Sequence, residues 1–180
     1  MRSQPRQFVV QVPVTSHQHA PFSYREIFVG KKAETSDIAD RATHPDLGLV
    51  APEFSSNATL VNGSTETSNQ VYGVTPIYAD VRSMTVADGA FLSDEQVEAQ
   101  ERIVVLGSTT ASDLFGSSAA AIAQRVRINN EAFLVVGVLE EEGGRNSVDD
   151  QAFVPISVAQ GRLFNADRYR GTYTITGVSM

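Results

Sequence analysis

Cysteine is missing altogether from these 180 residues. That absence excludes a disulfide framework, a thiol nucleophile and any zinc site built on thiolates, and it fits either side of a membrane. Histidine is scarce. The three, His17, His19 and His44, all fall in the polar N-terminal quarter, where solvated loop positions suit them better than the base of a catalytic triad, and no G-x-S-x-G motif accompanies them. His17-Gln18-His19 could set two imidazoles on one face of a strand, but two ligands without a third do not make a metal site. Basic residues are also short: 14 Lys and Arg against 21 Asp and Glu leave a formal charge of −7. Lys31-Lys32 and Arg125/Arg127 are too sparse to neutralise a phosphate backbone, so nucleic acid is excluded, and anionic membrane surfaces with it. No apolar run approaches the ~20 residues that cross a bilayer. Met1 is followed by Arg2-Ser3-Gln4-Pro5-Arg6 rather than by the apolar core of a secretory signal. A soluble cytoplasmic protein fits these absences, and so does an extracytoplasmic loop excised from a membrane protein.

What is present describes a folded scaffold. Hydrophobic residues at 42 % and charged residues at 19 % are ordinary for a globular chain. Its length suits one domain or two small subdomains sharing a core, burying roughly 70 % of the unfolded surface. Phe8 to Val14 reads as a strand, and a short helix over Asp37 to Thr43 follows a cap at Thr35 or Ser36. Leu49 to Pro52 and Ala58 to Val61 read as two short strands. Asn62-Gly63 signals a hairpin with a type I′ turn. From Gln70 the chain turns β-rich through Val71, Gly73, Ile77 and Val81.

Ser93-Asp94-Glu95-Gln96 matches a capping box for a short acidic helix to about Gln100. Ile103 to Leu106 is a buried strand, and Gly107-Ser108 opens a helix with Ala111, Leu114 and Phe115 on one stripe, stopped by Gly116. Arg125 to Ile128, a turn at Asn129-Asn130-Glu131 and Phe133 to Leu139 form a hairpin whose second strand is covered on both faces. Glu140 to Val148 is a mobile acidic loop, and Ala152 to Pro155 another strand. Ser157 to Gln160 matches a second capping box for a helix to Phe164. Thr172 to Val178 alternates as a last strand. Strands outnumber helices, so the fold class is α+β.

Candidate chemistry is thin. Gly107-Ser108-Thr109-Thr110 has the strand-to-helix setting of a phosphate loop but lacks its lysine, and it reads as a helix cap. Carboxylates gather at Asp94/Glu95/Glu98/Glu101, at Glu140/Glu141/Glu142 and at Asp149/Asp150, without the spacing of an EF-hand. They read as solvated faces and loops, with a calcium site at Asp149 and Asp150 as the residual metal candidate. An acid-dependent hydrolase using these carboxylates would fail if Asp149 and Asp150 lay exposed on a flexible loop without partners. Glu141, Glu142, Gly143, Gly144, Arg145 and Asn146 form a candidate contact loop, an idle surface loop being the alternative.

Five phrases then stand in a fixed order. They are Val71-Tyr72-Gly73-Val74-Thr75-Pro76; Gly89 to Asp94; Ile103-Val104-Val105-Leu106-Gly107 with Leu114-Phe115-Gly116; Phe133 to Leu139; and Pro155 to Phe164. In this order they resemble the periplasmic core domain of MacB-like ABC transporter permeases, over about Ala33 to Val178. Two departures stand out. Ala121-Ile122-Ala123-Gln124 replaces both the proline and the glycine of the family's usual Pro-x-Gly-Gln or Pro-x-Gly-Lys, and the family's domain normally continues beyond the position of Met180 with another helix and strand.

The resemblance implies a two-lobed ectodomain: a porter-like α+β lobe at residues 1–68, a β-rich outer lobe with short helices at 69–168, and a strand at 169–180 returning to the first lobe. It implies a non-catalytic part on the extracytoplasmic face of a bacterial cytoplasmic membrane, flanked by transmembrane helices. No cofactor is expected in the chain itself, ATP being used by a cytoplasmic ATPase domain or subunit. The implied partners are that ATPase, a second permease copy in a homodimer or a paired permease, and an adaptor or cell-envelope protein. The task implied is to couple ATP-driven helix movement to export or to activation of a partner protein. A free-standing extracellular binding module for a ligand or protein is the alternative, and it would show a concave apolar pocket with a few converging polar groups.

Overall fold

The computed structural model describes residues 51–144 and 148–164 with their side chains, and 7–10, 27–30, 168–169, 172–175 and 177–179 as backbone strands. In chain order the elements are β1 (Gln7–Val10), β2 (Ile27–Gly30), β3 (Ala51–Asn62), β4 (Thr65–Val74), α1 (Ile77–Val81), β5 (Val86–Gly89), α2 (Asp94–Glu98), β6 (Ile103–Leu106), α3 (Ser108–Phe115) and α4 (Ser118–Ala121). There follow β7 (Arg125–Ile128), β8 (Glu131–Leu139), β9 (Gln151–Pro155), α5 (Ile156–Val158) running on as a π-helical turn over Ala159–Leu163, β10 (Arg168–Tyr169), β11 (Thr172–Ile175) and β12 (Gly177–Ser179). Short helices among many strands make the α+β class.

Six of the strands close on themselves. β3 pairs antiparallel with β4, β4 parallel with β9, β9 antiparallel with β6, β6 parallel with β8, and β8 antiparallel with β7. β7 returns to β3 through Leu60↔Ile128 and Val61↔Arg127, which completes the ring. Closure removes most of the open edge that a flat sheet would present. β12 extends the near end of β3, and β5 adds to β8. A separate four-stranded sheet runs β1-β2-β11-β10.

Two apolar clusters explain the side-chain pattern. One takes alternate residues from all six ring strands, among them Phe54, Val71, Val104, Val126, Phe133 and Val154, and is joined by Ala111 and Leu114 of α3. The other lies on the opposite face of β4, β6, β8 and β9, where Val74, Val105, Leu139 and Phe153 meet Tyr78 of α1 and Leu92, just before α2. β6 is sandwiched between them, so all four of its side chains are buried and no alternation is visible in Ile103-Val104-Val105-Leu106. β8 shifts phase midway: the register steps from Val104↔Val135 to Val105↔Gly137, leaving Val136 as an extra residue. Phe133, Val135 and then Val138 therefore serve the same cluster.

The phrases read from the sequence meet one another through glycine. A methyl group on Gly73 would collide with Ala159 and crowd Ile156, so the first phrase packs against the fifth. On Gly107 it would overlap the carbonyl oxygens of Val148 and Asp149. The second and fourth phrases cross where Gly137 faces the carbonyl of Ala90.

Local signals held in several places. Ser93 and Gln96 form both bonds of a capping box, at 3.4 Å from the Gln96 N–H to the Ser93 hydroxyl and 2.9 Å from the Ser93 N–H to the Gln96 side chain. Gly116 ends α3 at φ 85°. Asn129 and Asn130 make the β7–β8 turn with positive φ at both, as a type I′ turn requires.

Other readings need correction. Ala51 to Asn62 is one strand, and Leu49 and Val50 lie outside the described residues. The hairpin turn is Gly63-Ser64, since Asn62 pairs with Thr65; only Gly63 takes positive φ, which makes it type II′. Ile77 and Val81 belong to a helix. Ser157 caps nothing: the helix begins after Pro155, and the Ser157 hydroxyl donates to the carbonyl of Val97 at 3.1 Å. β8 is not covered on both faces throughout, because Leu134 is 40 % exposed. The last apolar alternation splits into β11 and β12, which enter different sheets. Of the first expected strand, Phe8 to Val14, only Phe8 to Val10 is described, within β1, and the helix expected over Asp37 to Thr43 lies outside the described residues.

Candidate functional site

The acidic loop leaves β8 at Leu139, and the next turn of chain brings Asp149 back beneath it. Gly143 and Gly144 both take positive φ, at 66° and 92°, and stand in open space. Glu140, Glu141 and Glu142 are exposed, as is Asp150. Asp149 is 6 % exposed. Its Oδ1 accepts the N–H of Glu142 at 2.9 Å and its Oδ2 the N–H of Gly143 at 2.8 Å. A carboxylate accepting two backbone N–H groups makes charge-assisted bonds, roughly twice as strong as neutral ones. The loop is thus tied down at its described near end. Within the segment expected to be mobile, Glu142 and Gly143 are thus bonded to Asp149.

The same residue also joins the loop to the body. The Asp149 carbonyl accepts the N–H of Thr110 at 3.1 Å in the first turn of α3, and the Gly107 N–H donates to the Gln151 carbonyl at 2.8 Å. Gly107 is where β6 turns into α3, and only a residue without Cβ lets these backbones come together. Helix, loop and strand β9 therefore share one joint. At the Gly107-Ser108-Thr109-Thr110 helix start, the N–H groups of Gly107 and Thr110 are met there by protein carbonyls.

A polar seam continues from this joint toward the hairpin. Asn69 of β4 donates to the buried Thr110 hydroxyl at 2.6 Å, and the Thr67 hydroxyl donates to Asn69 at 2.8 Å. Asn62 donates from Nδ2 to the carbonyl of Leu114 at 2.8 Å. Sequence reasoning missed these three. Their signal was phase: Thr67 and Asn69 share the inward period of Val71 and Gly73 on β4.

The sequence-predicted site residues divide accordingly. Asp149 and Asp150 are adjacent but face opposite environments, one turned in and consumed by loop amides, the other in solvent. Asp149 is not exposed without partners, so the condition that would sink a hydrolase is not met by it, and its oxygens hold the loop. Among the described residues no three His, Cys, Asp or Glu side chains stand close enough to hold a metal ion. Arg145 and Asn146 of the contact loop, and all three histidines, lie outside the described residues. Asp94, Glu95 and Glu98 are exposed on or beside the first turns of α2, and the Glu95 carboxyl is lowered by its own backbone N–H and then by the Ser93 hydroxyl. On the outer face of β4, burial pushes the Tyr72 hydroxyl up, with Glu53 adding, Arg82 opposing and Asp150 adding. Tyr72 stacks on Phe153, ring centres 5.7 Å apart, and donates to Gln70 at 2.9 Å.

The MacB-like periplasmic core domain model matches residues 3–178. The macrolide export ATP-binding/permease protein MacB of Bdellovibrio bacteriovorus is 35 % identical over 117 residues, 64 % of this chain and 18 % of that protein. The pyoverdine export ATP-binding/permease protein PvdT of Pseudomonas aeruginosa is 29 % identical over 133 residues, 72 % of this chain and 20 % of that protein. The chain therefore spans about a fifth of the length of these curated relatives. Among solved structures, the periplasmic region of MacB from Actinobacillus actinomycetemcomitans matches with a TM-score of 0.61 at 23 % identity, covering 79 % of this chain and 62 % of that one.

Proposed function

The chain belongs to the MacB-like periplasmic core domain family, and on that premise we propose that it is the non-catalytic extracytoplasmic domain of an ABC transporter permease. Its work is to carry ATP-driven movement of the flanking membrane helices to substrate export or to a partner protein outside the membrane. The observation that supports this most is the closed six-stranded ring, whose joints are backbone against backbone. Such an interior is close-packed and nearly incompressible, so it passes on a displacement instead of absorbing it.

The same proposal holds that residues 1–68 form a porter-like lobe, 69–168 an outer lobe and 169–180 a return to the first. That boundary runs through β4, so the paired hairpin β3–β4 would be the element common to both lobes. A second permease copy, an adaptor or cell-envelope protein, and the contact loop at residues 141–146 complete the reading.

A full-length permease otherwise free of cysteine, reconstituted with its ATPase and labelled at Ser64→Cys and Ala119→Cys, tests it. The distance between the two labels within one ring should stay constant through the ATP cycle while the distance between labels on two copies changes. An intramolecular distance that changes as much as the intermolecular one would overturn the rigid coupling element.

A further inference from the structure

We propose that Asn62 is a modification site, at which the side-chain amide is lost to the backbone nitrogen of Gly63, and that the carbonyl of Leu114 holds this reaction back in the folded chain. Asn62-Gly63 is the one Asn-Gly pair in the sequence. Every other asparagine is followed by a residue whose side chain obstructs attack by its backbone nitrogen. Here that obstruction is absent twice over, because a Cβ at Gly63 would itself meet nothing within 4 Å. Gly63 to Glu66 are exposed at the hairpin tip, so water reaches the product.

The step balances within the chain. The Gly63 nitrogen attacks Cγ of Asn62; the new N–C bond closes a five-membered imide, the Cγ–Nδ2 bond breaks, and the Gly63 proton leaves with the NH2 group as ammonia. Water then opens the ring at either carbonyl, giving aspartate or isoaspartate.

The brake is the hydrogen bond from Nδ2 of Asn62 to Leu114 O, 2.8 Å long and reaching 52 residues along the chain. It points the amide at the end of α3, and attack requires Cγ to swing back over its own backbone. Once the amide has become a carboxylate, it has no proton for Leu114 and meets the carbonyl-rich, negative end of the helix. The tie between hairpin tip and helix is then lost and replaced by repulsion. A site that is chemically poised and structurally restrained would mark chains that have been partly unfolded, because unfolding removes the restraint.

The unmodified chain is incubated at mildly alkaline pH, once folded and once in concentrated urea, and each asparagine is followed by peptide mass mapping. Asn62 should convert first in both, and about fivefold more slowly in the folded chain, the factor to which the net worth of one hydrogen bond corresponds. Equal rates in the two conditions would overturn the brake. Earlier conversion of Asn57, Asn129 or Asn130 would overturn the site. Asn62→Asp, compared with Asn62→Ala, reads the consequence: faster hydrogen exchange at the amide of Gly116 in the Asp variant supports it, and equal exchange in both variants overturns the repulsion.

Discussion

Strand β6 buries all four of its side chains between two apolar clusters, whereas the far ends of β3 and β4, from Asn57 to Val61 and from Glu66 to Val71, alternate more buried with more exposed residues in the same ring. On the hairpin, alternation fixes register, since a slip by one residue would turn Leu60 and Val71 into water. On β6 a slip would exchange one apolar side chain for another and cost little. Register there must come from elsewhere, and the structure supplies it through close backbone contacts at Gly107 and Gly137 and through the bulge at Val136. Where both faces are dry, glycine and bulge do what polarity does where one face is wet.

The sharpest way to break this contrast is Gly107→Ala. Gly107 has an ordinary extended backbone, φ −68° and ψ 157°, so the added methyl group tests space alone. It must displace the carbonyls of Val148 and Asp149, which are backbone and cannot rotate away. We expect a loss of about 2–3 kcal/mol, the range of overpacked cores. Urea unfolding should show a lower midpoint at unchanged slope. Ser68→Ala on the exposed face of β4 should stay within about 0.5 kcal/mol of the parent. Equal effects of the two substitutions would erase the distinction.

Asp149→Asn has the next largest effect. The amide keeps one acceptor oxygen and turns an NH2 group toward the other loop N–H, so one of the two bonds to Glu142 and Gly143 is lost and a donor is left facing a donor. The cost is about 1–2 kcal/mol. Its signature is local: amide exchange at Glu142 and Gly143 should rise far more than exchange in β6. Uniform acceleration would mean that Asp149 supports the ring as a whole and not the loop in particular.

What was legible in the sequence follows the same line between local and distant causes. The Ser93–Gln96 box, Gly116 and Asn129-Asn130 act within four residues of themselves, and each could be read where it stands. Asp149 could not, because the two residues together in the sequence, Asp149 and Asp150, part company only when β9 joins β4 and β6. Ser157 misled for a related reason: its hydroxyl is taken by Val97, 60 residues away, and the helix it was expected to cap starts earlier, at Ile156 just after Pro155. The order of the five phrases carried the family although no phrase carried a function. Their glycines explain part of that: the first phrase is shaped by the fifth and the second by the fourth, while the third meets Val148 and Asp149 outside the phrases.

Ala123 is the smallest and most discriminating case. It stands where the family's turn usually has glycine, and it adopts φ 61° all the same. The turn is held from both sides, by the Ala123 N–H on the Val135 carbonyl and the Val135 N–H on the Gln124 carbonyl, each at 2.9 Å, so the backbone cannot relax toward negative φ without releasing β8. A left-handed alanine costs about 1–2 kcal/mol. Replacing it with glycine removes that strain but returns about 0.4–1 kcal/mol of freedom to the unfolded chain. Ala123→Gly should therefore stabilise by about 0.5 kcal/mol, a rise in Tm of about 1–2 °C for a chain of this size. A fall in Tm would mean that the turn is held by its hydrogen bonds so firmly that the left-handed alanine carries no strain to relieve.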